Sequence, residues 1–320
     1  MNFSEVGSGG DIYFDAPQGG DSGRAYASVG FGLSGGVATI NGPIRVMIDY
    51  DSGNFGSDAT DLGNYALTTA IHEIGHAIGL GHSGWYNAGQ GNPNYNNDGQ
   101  WINDTRQYSL MSYWSASNSG ANHQGEYSST PMLMDIYAVQ TLYGADNSTR
   151  SGNTTYGFNS NAGRDQFDFT VNVEPVVAIW DGGGTDTLDV SGWSMAQIIN
   201  LEAGSFSNVG GGTGNLAIAY GATIENARGG GGADTIYGND SDNVLLGGAG
   251  NDTFYGSAGD DTINGQGGGA DEVIYSYDIS AFLIDLVNGS SFTFSHIADG
   301  WTDTLTNVEN YVLDSISYSY

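Results

Sequence analysis

The chain has 320 residues with 36 acidic against 6 basic side chains, a formal charge of −30 at pH 7, which excludes a basic face for nucleic acid or anionic lipid. All six basic residues are arginines (Arg24, Arg45, Arg106, Arg150, Arg164, Arg228), so lysine Schiff-base and P-loop chemistry are excluded, and with no cysteine there is no disulfide, thiolate ligand or cysteine nucleophile. Glycine numbers 53 against 5 prolines, which points to many tight turns or a glycine-periodic array, and the length suggests two domains.

No apolar run approaches the ~18 residues of a membrane span, and the opening residues lack the apolar stretch of a secretory signal. Residues 1–60 read as short strands broken by glycine, at 11–14, 24–29 and 43–50, where Ile44, Val46 and Ile48 alternate with polar or smaller neighbours. A helix is predicted from Asp61 through residues 62–78, with Leu67, Ile71, Ile74 and Ile78 spaced by three or four and Gly79 as its stop. A polar loop of roughly forty residues follows, a length that marks functional loops. A second helix is predicted over residues 131–143, with Thr130 as N-cap, Pro131 as first residue and Gly144 as stop. The domain boundary is placed just after it, giving 1–145 and 146–320.

Residues 72–82 read HEIGHAIGLGH and hold three of the five histidines. His72 and His76, four apart on a helix, project from one face and can share one metal ion. Continued helix would turn His82 about 240° from His76, at ~100° per residue. The chain must therefore leave the helix between them, and Gly79 is the residue able to take a left-handed turn. Three neutral imidazoles suit one zinc ion and leave a position for water, as in a catalytic site. Glu73 flanks the first ligand and can act on that water as general base. His123 and His296 read as solvated loop histidines.

This pattern, with SLMSYW at residues 109–114, resembles the metzincin metalloproteases and, among them, the serralysin family. GWYNAGQGNPNYN at 84–96 and PMLMDIYAVQTLYGA at 131–145 extend the likeness. The resemblance implies that Met111 forms the apolar floor beneath the zinc. It also implies that Tyr113 is a switchable zinc ligand that stabilises the oxyanion. Ser83 stands where many members of the family carry proline. Family members have a helix and further strands ahead of the region aligned to residues 1–60, so the catalytic domain is expected to be partly truncated at its N-terminus.

In the second half, residues 229–237, 238–246, 247–255 and 256–264 align as GGGGADTIY, GNDSDNVLL, GGAGNDTFY and GSAGDDTIN, with an imperfect fifth row ending at Asp271. This is the G-G-x-G-x-D-x-U-x calcium repeat, spanning 229–274. Ile236, Leu245, Phe254 and Ile263 are expected to stack inside a parallel β-roll. Two rows make one coil, so Asp234 lies over Asp252 and Asn243 over Asp261. Coils about 4.8 Å apart admit an ion with bonds of about 2.4 Å. Gly230, Gly232, Gly248, Gly250 and Gly259 let backbone carbonyls turn inward as further ligands. Asn243 lacks a charge and should weaken its edge, and the extra residue before Asp271 breaks the nine-residue period at the last site. Upstream, WDGGGTDTLDVSGW at 180–193 resembles the half-site that precedes the serralysin roll, implying Asp181 and Asp186.

The expected fold class is α+β: a metzincin-like zinc protease catalytic domain followed by a calcium-binding parallel β-roll or β-sandwich domain. The implied function is that of a secreted zinc-dependent endopeptidase with one catalytic zinc and several structural calcium ions. An extended peptide would add a strand along Arg24, Ala25, Tyr26, Ala27, Ser28 and Val29. Expected partners are protein or peptide substrates and a small protein inhibitor, with no nucleic acid or membrane insertion, and the chain is expected to be a monomer. The resemblance implies type I secretion without an N-terminal signal, although DSISYSY at 314–320 departs from the family's acidic-then-apolar end. The alternative from another class is a calcium-binding RTX structural or adhesive module attached to an inactive protease remnant.

Overall fold

The computed structural model describes residues 12–15, 25–28, 31–34, 37–40, 44–48, 61–87, 91, 93–313 and 316–319. They belong to two compact units, Met1–Asp146 and Asn147–Tyr320. No helix among the described residues is long and apolar enough to cross a membrane.

In the first unit the strands are β1 (Ile12–Asp15), β2 (Ala25–Ser28), β3 (Phe31–Ser34), β4 (Val37–Ile40) and β5 (Ile44–Ile48). One sheet runs in the order β1-β5-β2, with β1 parallel and β2 antiparallel to β5, so among the described residues β2 is an edge strand. Arg24 and Val29, the ends of the expected substrate strand, lie outside the described residues, as do residues 11, 43, 49 and 50 of the other expected strands. β3 and β4 pair as an antiparallel hairpin that the sequence reading did not anticipate, although Gly35 and Gly36 between two four-residue runs form a hairpin signal.

Helix α1 spans Tyr65–Ala77. It begins four residues after the expected Asp61, because the Asn64 side chain accepts the Ala66 N–H at 2.9 Å and fixes the cap there. Its buried positions are Ala66, Thr68, Glu73, Gly75 and Ala77, whereas the expected Leu67, Ile71, Ile74 and Ile78 are only half-buried. Close approach decides which face is covered. Ala70 and Ala77 pack with Ala25, Ala27, Ile44 and Val46 of the sheet, where larger side chains would hold helix and strands apart.

The long loop holds the single-turn helix α2 (Tyr95–Asp98) and a 3-10 turn at Ala116–Ser119. Helix α3 spans Leu133–Tyr143, two residues later than expected at its start. Neither Thr130 nor Pro131 opens it. The Asp135 carboxylate reaches back to the Met132 N–H at 2.9 Å, which sets Met132 as the cap, and Gly144 ends the helix at φ +84°.

The second unit is built mainly from short parallel strands in a sheet of eight and a sheet of six, each ending in antiparallel strands after residue 281, with a smaller mixed sheet of three. Leu188, Ala227, Leu245, Ile263 and Leu305 align across neighbouring strands of the first sheet. Ile199, Ile236, Phe254 and Val273 align across the second. All of these side chains are buried, so each coil contributes apolar residues to one continuous core. The expected stack of Ile236 with Phe254 and of Leu245 with Ile263 is present. Gly248 at φ +109° shows why the glycines are needed, since a Cβ there would collide with the Gly230 carbonyl of the previous coil.

His296 corrects the sequence reading. It ends the strand Ser291–His296, is buried, and stacks on Trp301 at 4.9 Å and 9°. Alternation places it on the same inward face as Phe294, so a histidine expected in a solvated loop is a core residue. His123 is in a loop as expected, but half-buried.

Candidate metal centre

Helix α1 ends in a turn that the sequence dictates at one residue. Gly79 takes φ +101°, its N–H bonds to the His76 carbonyl at 3.1 Å, and the Leu80 N–H returns to the Gly75 carbonyl at 2.9 Å. This paired closure turns the Leu80 carbonyl back onto His76 Nδ1 at 2.8 Å. His72 Nδ1 meets the Leu110 carbonyl at 2.7 Å, and His82 Nδ1 meets the Tyr86 carbonyl at 3.0 Å. A carbonyl only accepts, so each ring carries its proton on Nδ1 and leaves a lone pair on Nε2.

Ligand atoms of His72, His76 and His82 all lie within 4.8 Å of one another. The Nε2 atoms of His76 and His82 are 3.1 Å apart. Two lone pairs that close repel unless a cation sits between them. A tetrahedral ion with bonds of about 2.0–2.1 Å sets its nitrogens about 3.3 Å apart, close to this separation. Burial lowers the His72 pKa to about 4, helped by the neighbouring His76, His82 and Arg106 charges, and burial likewise lowers that of His82. Both rings are therefore neutral at pH 7, the form that binds metal. The residues fit one divalent ion with nitrogen preference.

Glu73 is 7% exposed and its Oε2 has no hydrogen-bond partner. Burial raises its pKa to about 7, opposed by the Ala27 backbone of β2. The Tyr113 ring packs against His82 at 4.4 Å between centroids and stands 6.2 Å from His72. Met111 is buried with its sulfur over Gly75, where an added Cβ would come within 2.6 Å of Sδ.

Several supports carry no signal in the histidine motif. Asp135 accepts from Ser109 Oγ at 2.6 Å, from the Leu110 N–H at 2.7 Å and from the Met132 N–H. It thus ties α3 to the residue whose carbonyl holds His72. Buried Asp104 accepts from Tyr86 Oη at 2.7 Å and Trp114 Nε1 at 3.1 Å, fixing the residue whose carbonyl holds His82. Tyr86 also stacks on His82 at 5.6 Å and 15°. An aspartate within the SLMSYW approach or in PMLMDIY was visible in the sequence, but its partners were not.

In the second unit the predicted carboxylates form two columns. In one, Asp234, Asp252 and Asp271 accept the N–H of Gln197, Asp234 and Asp252 in turn, at 2.7–2.8 Å, and Glu309 accepts that of Asp271 at 2.8 Å. In the other, Asp186 accepts from Thr154, Glu225 from Asp186, Asp261 from Asn243 and Asp303 from Asp261. The extra residue before Asp271 leaves the first column unbroken, because the register simply steps from 18 residues to 19. Glu225, Asp303 and Glu309 were missed, since they fall outside the nonapeptide rows. Glu225 and Glu309 share a signal, an acid just before a strand of the column's sheets, Asn226–Arg228 and Asn310–Leu313, whereas Asp303 lies within the strand Thr302–Thr306.

Asp186, Asp252 and Asp261 each keep a buried Oδ2 without a hydrogen-bond partner. Burial, with neighbouring carboxylates adding to it, raises Asp252 to about 6, Asp186 to about 7 and Asp261 to about 8. A buried carboxylate oxygen without a donor is a group that a hard cation such as calcium would satisfy, while among the described residues only the three histidines bring three ligating side chains together. Gly230, Gly232, Gly248, Gly250 and Gly259 line the coil crossings, where an added Cβ would strike backbone of the adjacent turn. Asp181 differs, because its Oδ2 accepts the Tyr156 hydroxyl at 2.5 Å.

The family described as Peptidase M10 serralysin C terminal matches residues 145–307. The chain is 47% identical over 253 residues to the metallopeptidase AprA of Pseudomonas marginalis, covering 77% of this chain and 52% of that one. It is 51% identical over 191 residues to serralysin of Proteus mirabilis, covering 59% and 39%, and 50% identical over 189 residues to serralysin C of Dickeya chrysanthemi, again covering 59% and 39%. The chain thus spans about half, or less, of the length of these relatives. With the family match covering half of the chain and the relatives named metallopeptidase or serralysin, the chain belongs to the serralysin family of metalloproteases.

Proposed function

We propose that the chain is a secreted zinc endopeptidase whose second unit is stabilised by calcium. The observation that carries this reading is the convergence of three Nε2 lone pairs, each ring locked by a backbone carbonyl, beside a buried glutamate with a free oxygen. His72, His76 and His82 would hold zinc, which when bound acidifies water and polarises a carbonyl.

Glu73 takes the proton of the attacking water and returns it to the leaving amine. Its raised pKa suits both steps, since a base near neutrality gives up the proton as readily as it gains it. The Tyr113 hydroxyl donates to the oxyanion that forms on the scissile carbon. Among the described residues β2 ends its sheet, an extended peptide is held along that side, and the Ala27 backbone beside Glu73 brings it to the base. Asp186, Asp234, Asn243, Asp252, Asp261 and Asp271 take calcium with the inward carbonyls of the glycine turns, whereas both Asp181 oxygens already accept, from Tyr156 and from the Gly183 N–H. Folding of the roll on calcium outside the cell is consistent with type I secretion, in which the chain crosses unfolded.

Casein digestion in calcium tests this reading. Glu73→Ala should keep a full zinc equivalent and lose about 10²–10⁴-fold in rate, and a zinc-selective chelator should abolish activity of the unaltered chain. Caseinolysis that survives in the variant overturns the mechanism.

A further inference from the structure

A cavity of ≈ 310 Å³ lies in the first unit, lined by Thr68 and Leu110, both neighbours of His72, and by the segment that follows the Met-turn. It is near the lower end of the range for ligand pockets, and fits one large side chain. Two of its residues tie it to the metal centre. Thr68 lies one turn ahead of His72 on the same face of α1, and Leu110 holds His72 through its carbonyl. Whatever fills the cavity therefore sits against the wall that carries the first zinc ligand.

Arg106 lines the same cavity. Its guanidinium carbon lies 6.0 Å from the Tyr65 ring centroid and 5.6 Å from that of Tyr127, and the two rings are themselves 5.1 Å apart. Its backbone N–H goes to the Trp114 carbonyl, but among the described residues no carboxylate lies within ion-pair distance of its guanidinium and no acceptor takes the guanidinium N–H groups. Glu126 also lines the cavity, but its carboxylate is laid against Gly63. Two aromatic rings beside it restrict the guanidinium, so less ordering remains to be done when a carboxylate arrives, and a guanidinium can meet such a group through two parallel hydrogen bonds.

We propose that this cavity receives the side chain of the substrate residue adjoining the cleaved bond, and that Arg106 makes aspartate or glutamate its preferred occupant. The proposal rests on the peptidase reading above. The overall charge of −30 repels acidic peptides in general, so the preference is local and is read from matched peptides rather than from total affinity.

The experiment uses the full chain loaded with zinc and calcium. Peptides of one sequence carry Glu, Gln or Lys on one or the other side of the cleaved bond. At one of the two positions the kcat/KM ratio of Glu to Lys should reach about tenfold, the worth of one charge-assisted contact. In Arg106→Leu this ratio should fall to about one or below, and in Arg106→Lys it should be intermediate, because the charge remains and the planar fork is lost. The ratio is internal to each variant, so a smaller folded fraction does not alter it. A second arm measures calorimetric binding of the same peptides to Glu73→Ala, with and without Arg106→Leu. If the unaltered chain cleaves none of the peptides, the peptidase reading fails while binding still decides the cavity. A Glu-over-Lys contrast abolished by Arg106→Leu supports the assignment. Equal affinity for both peptides, or a contrast that persists without Arg106, overturns it.

Discussion

Removing the Asp135 carboxylate strands the Ser109 hydroxyl and the N–H groups of Leu110 and Met132 in a buried place. Each unpaired buried donor costs about 1–3 kcal/mol, so Asp135→Ala should destabilise the first unit by about 3 kcal/mol or more. The effect should reach the metal as well. Leu110 receives Asp135 through its N–H and holds His72 through its carbonyl, so one residue links the two. Loss of an outer support of this kind typically weakens metal binding about 10–100-fold. Denaturant unfolding and chelator competition measure the two effects, and zinc affinity unchanged in a folded Asp135→Ala chain would show that Leu110 is held by other means. The residues of the trio were legible in the sequence because their spacing is itself the chemistry. The carbonyls of Leu80, Tyr86 and Leu110 were not, since every residue type offers the same acceptor and only the fold selects which one is used.

At the scale of elements, the turn after α1 sets where His82 can go. Gly79→Ala places a Cβ at φ +101°, a conformation that costs an L-residue about 1–2 kcal/mol. Relief of that strain moves the Leu80 carbonyl off His76, so the variant should both melt earlier and bind zinc more weakly. Gly81→Ala is the control two residues on, where an added Cβ meets nothing within 4 Å and stability should change by less than about 0.5 kcal/mol. Equal losses in the two variants would show that loop flexibility, not the left-handed turn, governs the site. The same helix shows what periodicity does and does not tell. The spacing of Leu67, Ile71, Ile74 and Ile78 announced a helix, but the face against the sheet is lined by alanine, because backbone approach there is closer than leucine allows. Glycine turns and the nonapeptide rows announced the roll almost completely. The hairpin of residues 282–296, which carries His296 inward, lies beyond the rows and had no repeat to reveal it.

For the molecule as a whole, 36 acids and 6 arginines leave the carboxylate columns of the second unit without an organic counterion, and among the described residues no arginine pairs with them. Burial raises the pKa of Asp252 to about 6, of Asp303 to about 7 and of Asp261 to about 8. A folded-state pKa above the unfolded value near 3.9 means that the folded unit binds extra protons, so this contribution is fully present below about pH 4 and is lost as pH rises through 6–8. In a calcium chelator, the melting temperature of the second unit should therefore fall between pH 5 and pH 8.5. Calcium binds the ionised form, which reverses the sign: in excess calcium the same transition should stay level or rise over that range, because fewer protons must be displaced. Near-ultraviolet dichroism can follow the unit through its stacked Tyr237 and Tyr255 rings, 4.3 Å apart. The inversion is specific to a cation held by the columns. Parallel pH slopes with and without calcium would mean that these carboxylates hold no ion, and that the roll is stable on its apolar core alone.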